Sequence, residues 1–217
     1  MKFAKIIKLA VLITVLLVST AQAAIISTYT NRADFLAATS AISISGTLPN
    51  LGALGNGNPV MLGGVTLNLA GNSTQFFVDN RTDINPGFDV AISGDENFDA
   101  ILESPTLSFG FDVVEPSVCV AGFIACSEFT LTVGLDSAVF TLLGLEAIPR
   151  LEFIGIASDT PFSLVEIRET MTNDNFVNGD ANDYFGEFYA DAPVPIPAAL
   201  WLFGSALGLL GWFRRKA

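Results

Sequence analysis

Apolar and polar residues alternate with a period of two through most of the chain. Leu107-Ser108-Phe109-Gly110-Phe111-Asp112-Val113 does so over seven positions, and Phe129-Thr130-Leu131-Thr132-Val133-Gly134-Leu135 repeats the pattern. A period of two sends successive side chains to opposite faces of a strand. Gly134 to Ala138, around Asp136-Ser137, predicts a turn, with Val139-Phe140-Thr141-Leu142 returning as the partner strand. Leu151 to Ile156 and Phe162 to Ile167 frame Ser158-Asp159-Thr160-Pro161, a second turn signal. Short strands about ten residues apart, with turn chemistry between them, predict an antiparallel sandwich or barrel. One short helix is predicted after Thr30, with Asn31 as N-cap, Asp34 three positions on, and Phe35-Leu36-Ala37-Ala38 following. Gly46 to Gly64, with six glycines and two prolines, predicts a long irregular loop. Phenylalanine, 18 of 217 residues, is the expected core filler, with Phe76, Phe77, Phe109, Phe111, Phe129, Phe140, Phe153 and Phe162 on strands.

The two ends break this pattern. Lys2, Lys5 and Lys8 precede an apolar run from Leu9 to Val18, and then Ala21-Gln22-Ala23. A basic n-region, a ten-residue apolar core and small residues at Ala21 and Ala23 predict a secretory signal peptide, residues 1–23, cut by signal peptidase ahead of Ala24. A retained anchor is the alternative, although ten residues are too few to cross about 30 Å of hydrocarbon. At the other end Ile196 to Phe213 is an uncharged stretch of 18 residues. As a helix it is about 27 Å long, close to the minimum for a transmembrane span. Trp201 and Trp212 sit near its ends, and Arg214-Arg215-Lys216 puts the tail on the cytoplasmic side. A buried core helix is the alternative. Between the ends, residues 24–193 are the right length for one domain.

Val194-Pro195-Ile196-Pro197-Ala198-Ala199-Leu200-Trp201-Leu202-Phe203-Gly204-Ser205, followed by a glycine-rich apolar span and Arg-Arg-Lys, resembles the PEP-CTERM sorting signal, in its Val-Pro-Leu-Pro-Ala variant. Within residues 194–217 the resemblance rests on Val194, Pro195, Pro197, Ala198, Ala199, Trp201, Gly204, Arg214, Arg215 and Lys216; the Glu of Pro-Glu-Pro is Ile196 here. It implies a protein exported across the inner membrane of a Gram-negative-type bacterium. It also implies membrane anchoring, processing by an exosortase-like transpeptidase and an association with extracellular polysaccharide or biofilm. More loosely, Tyr29 to Thr39, Leu62 to Leu67 and Phe153 to Phe162 resemble segments of such ectodomains, which implies a jelly-roll-like sandwich and no particular activity.

Composition narrows the chemistry. All 22 acidic residues lie between Asp34 and Asp191, and within residues 24–193 only Arg32, Arg81, Arg150 and Arg168 are basic, so the body carries −18. Nucleic-acid binding is excluded, since it needs clustered cations. With no histidine, Ser-His-Asp, Cys-His and HExxH chemistry are excluded too. Cys119 and Cys126 in an exported chain predict a disulfide, with free thiols as the alternative. Two acidic clusters stand out: Asp79, Asp83, Asp89, Asp95, Glu96 and Asp99; and Asn173 to Asp191, including Glu187. In the second, Asp174, Asp180 and Asp183 are candidate calcium ligands, although the spacing is not that of an EF-hand; a solvated turn-forming loop is the other reading. Paired carboxylates also suffice for a glycosidase, but 22 acids offer such pairs by chance. The expected function is a non-catalytic surface or matrix protein; the alternatives are a calcium-dependent carbohydrate-binding module and a glycosidase.

Overall fold

The computed structural model describes residues 24–46, 59–79, 89–93, 95–115, 127–142, 150–172 and 183–191. They form eleven strands and one helix: β1 (Ile25–Tyr29), α1 (Arg32–Thr39), β2 (Ile42–Ser43), β3 (Val60–Leu62), β4 (Val65–Leu69), β5 (Gln75–Asp79), β6 (Asp89–Ser93), β7 (Phe98–Glu115), β8 (Ser127–Val133), β9 (Asp136–Leu142), β10 (Arg150–Thr172) and β11 (Tyr184–Ala190). Every strand pairing among them is antiparallel. The all-β expectation and the single helix hold. Asn31 caps α1 as predicted, its side-chain oxygen accepting from the Asp34 N–H at 3.2 Å. Among the described residues no helix is long and apolar enough to cross a membrane; the stretch 196–213, the signal segment, and Cys119 and Cys126 lie outside them.

Three local expectations are corrected. Ser158 to Pro161 does not separate two strands. It is a bend inside β10, where the five steps from Ala157 to Phe162 face only two on β7, Ser108 to Thr106. Internal hydrogen bonds satisfy the bent backbone: Thr160 N–H donates to Ser158 Oγ, which donates to the Thr160 carbonyl. The turn between β8 and β9 is shorter than expected, only Gly134-Leu135, with Val133 opposite Asp136. Gly134 has φ +64°, the left-handed conformation that a two-residue hairpin of the II′ kind demands at its first central position. Finally, the end of the predicted glycine-rich loop is ordered as the β3–β4 hairpin, turning at Gly63-Gly64.

The bend lets β7 and β10 serve two groups of partners. Their halves near Phe98 and Ile167 pair with each other and continue to β4 and β3 on one side and to β8 and β9 on the other. Their halves near Val114 and Leu151 pair with each other and continue to β11, β6 and β5 on one side and to β1 on the other. All eleven strands belong to one continuous antiparallel sheet, and the core lies in the angle formed where β7 and β10 bend. Phe98, Phe109, Phe111, Phe129, Phe185 and Phe188 fill it, all fully buried, with ring centroids of neighbouring pairs 4.9–6.2 Å apart. Phe153 departs from the expectation: it is buried on the opposite face of the sheet, where Phe35 of α1 packs on it at 5.1 Å.

Candidate functional site

The outer face under α1 holds the most distinctive cluster. Gly110 and Gly155 face each other across β7 and β10. A Cβ on Gly155 would lie 2.7 Å from the Phe153 ring and 2.9 Å from the Phe35 ring, so this glycine floor is what lets α1 settle on the sheet. The helix then carries Arg32, its first residue, over Asp112. Arg32 Nη1 donates to Asp112 Oδ2 at 2.7 Å and to the Tyr189 hydroxyl oxygen at 3.2 Å. That hydroxyl lies 3.3 Å from Asp112 Oδ2 and 3.0 Å from Glu187 Oε2, with one proton to give between them. The Asp112 side chain is only 2% exposed, against 43% for Arg32. Burial pushes the Asp112 pKa up to about 6, although the Arg32 charge pulls the other way. Burial and the neighbouring Asp112 charge also hold the Tyr189 hydroxyl well above its ordinary value. An open cavity of about 280 Å³ adjoins the pair, lined by Thr30, Asn31, Arg32, Ala33, Asp112, Glu152 and Phe153.

A raised carboxyl pKa in a cleft is how many general acids are set up. Here the Asp112 oxygen nearest its partners is already taken by a guanidinium and a phenol, and the group scarcely reaches solvent. The arrangement locks α1 to β7 and β11 more readily than it delivers a proton to a substrate.

A second cluster lies at the far end of β7 and β10. Glu96 just before β7, Glu169 near the end of β10 and Asp183 just before β11 bring one carboxylate oxygen each within 4.8 Å of one another. Backbone bonds hold the triangle: Asp183 N–H donates to Glu96 Oε1 at 3.3 Å, Glu96 N–H to Glu169 Oε2 at 3.4 Å, and Glu169 N–H to Asn97 Oδ1 at 2.9 Å. Ser73 Oγ binds the Asn97 backbone, and Arg168 ties β10 to Asp99 at 2.6 Å nearby. Glu96 and Asp183 are 2% and 1% exposed. Carboxylates so close and so buried need a cation, a proton or a basic side chain between them; none of the three residues is without a partner.

Of the candidate calcium ligands, Asp174 and Asp180 lie outside the described residues. Asp183 is not on a solvated loop: it is buried, and its neighbours come from elsewhere, Glu96 from the first acidic cluster and Glu169 from neither. Glu169 had a visible signal. It follows Val165 and Ile167 at a spacing of two, so it occupies a core-facing position with an acid. Asp191 and Glu187, grouped with the second cluster in sequence, are engaged separately, Asp191 by β7 and Glu187 by Tyr189. The sorting-signal residues 194–217 and Ala21 and Ala23 lie outside the described residues. No protein-family model matches the chain, and neither a curated protein nor a solved structure does.

Proposed function

We propose that the chain is an exported, non-catalytic surface or extracellular-matrix protein, anchored by a C-terminal transmembrane helix over residues 196–213 and sorted by an exosortase-like transpeptidase. The observation that carries this reading is the tail itself, Val194-Pro195-Ile196-Pro197-Ala198-Ala199 ahead of an apolar span and Arg214-Arg215-Lys216. The paired N-terminal signal, a disulfide between Cys119 and Cys126, and a jelly-roll course for the sandwich belong to the same reading. The engagement of Asp112 by Arg32 and Tyr189 supports a structural rather than catalytic use of that acid. The test is fractionation of a tagged chain in an exosortase-bearing host. The mature form should begin at Ala24 and reach the cell surface or matrix, and deletion of residues 194–217 should leave it in the periplasm. A form that begins at Met1 in the cytoplasm would refute export.

One observation favours a second reading, a calcium-dependent carbohydrate-binding module: the gathering of Glu96, Glu169 and Asp183 oxygens within 4.8 Å. Oxygen-only ligands drawn from carboxylates suit calcium. A cation held only by the folded form raises the melting temperature by mass action. Calcium at millimolar concentration should then raise it more than magnesium or sodium chloride of equal ionic strength, and Asp183→Asn should abolish the difference. Equal shifts in all three salts mean screening alone.

A further inference from the structure

Asp191, just after β11, is held by three hydrogen-bond donors of β7. Its Oδ1 accepts from the backbone N–H groups of Leu107 at 2.9 Å and Ser108 at 3.0 Å, and from the Thr106 hydroxyl. These three residues form the β7 side of the bend, directly across from Ala157 and Phe162 of β10. The start of the body meets the same bend: Ile25 pairs with Ser158, and Asp159 N–H donates to the Ala24 carbonyl at 3.3 Å. Ala24 and Asp191 are therefore fastened to one pole, although 166 positions separate Ile25 from Asp191.

We propose that this pole, made of the β7–β10 bend, Asp159 and the Asp191 latch, faces the lipid surface, with the Glu96–Glu169–Asp183 end pointing away. The inference rests on the membrane-anchor reading of residues 196–213. Five peptide steps separate Asp191 from Ile196, which at full extension reach at most about 18 Å. The headgroup layer takes about 5–8 Å of that on each side of the hydrocarbon. The latched pole cannot stand more than about 10–13 Å from the headgroups. Asp183, eight residues back along β11, lies about 26 Å from Asp191. A tether far shorter than the body, fixed at one end of it, sets which end meets the membrane.

The experiment uses the full chain in phosphatidylcholine vesicles bearing a headgroup-linked short-range quencher. A fluorophore is placed at Asp159→Cys or Asn72→Cys, each in a Cys119→Ser, Cys126→Ser background. Both sites are exposed, and Asn72 joins the distal end through Asp95. Expected is a loss of about half or more of the emission at position 159 and at most about a tenth at position 72, from the reach just derived. Asp191→Ala should shrink that difference by freeing the end of β11. Thr106→Val, which removes the hydroxyl that bonds Asp191 and the Ser108 backbone but keeps both N–H donors to Asp191, should shrink it less and serves if the first variant does not fold. Equal quenching at both sites in chains that float with vesicles overturns the orientation and leaves the anchor reading standing. Chains that do not float with vesicles refute the anchor, and the proposal with it. An unchanged difference in a folded Asp191→Ala chain removes the latch from the account.

Discussion

Asp112 is ionised in the fold only at a cost. Its unfolded value is near 3.8 and its folded value about 6, so the neutral form is the one the fold prefers. The stability it contributes is complete below pH 3.8 and is lost as the pH rises through 6. Asp112→Asn, which never ionises, should therefore gain on the wild type between pH 4 and 7. The expected gain is about 2–3 kcal/mol by urea titration at the two pH values. The converse holds for Arg32→Met. Removing the guanidinium leaves a buried carboxylate without its cation, so the variant should lose more stability at pH 7 than at pH 4. A loss independent of pH would mean that Arg32 acts by packing alone. None of this was legible in the sequence, because Asp112 and Tyr189 lie 80 and 157 positions from Arg32 and nothing local marks the pairing. The cap at Asn31 was legible, because everything it needs lies within three residues.

At the scale of elements, the glycine floor decides whether α1 docks. Gly155→Ala brings a methyl to 2.7 Å from Phe153 and 2.9 Å from Phe35, two rings that pack on each other. Overpacking of this kind costs about 1–3 kcal/mol, to be read from the midpoint of denaturant unfolding. Trimming Phe35 to Leu in the same chain should restore part of it, a coupling that a purely local backbone effect would not give. Asn31→Ala should cost about 1 kcal/mol through the lost cap. The helix and most strands could be read because period and capping are local signals. The bend in β10 could not. Ser158-Asp159-Thr160-Pro161 has the chemistry of a turn, and the same residues satisfy a bulge equally well. What chooses between them is the pairing of Phe162 with Thr106, far away in the chain. The Gly134 hairpin was misjudged more narrowly: Asp136 and Ser137 look like turn residues, yet they are exposed positions of β9 opposite Val133 and Thr132.

For the molecule as a whole, −18 on the body sets a background of self-repulsion. Raising sodium chloride from about 10 to 150 mM shortens the screening length from about 30 to 8 Å. The melting temperature of the body should rise over that range; no rise would mean that repulsion among the acids does not limit its stability. The overall class was readable from alternation alone, but the order of strands was not. The last of the described strands, β11, is an interior one, lying between β6 and β7. A polypeptide made from its N-terminus delivers the other ten described strands first and leaves a gap in their midst. Nothing shorter than residue 190 or so can close the sheet, and the apolar stretch follows within about 20 residues. At ordinary synthesis rates of about 5–20 residues per second, that interval is about one to four seconds. Completion of the sheet and emergence of the apolar stretch become nearly one event, and until then the nascent chain presents an unfinished sheet to the chaperones and proteases around it.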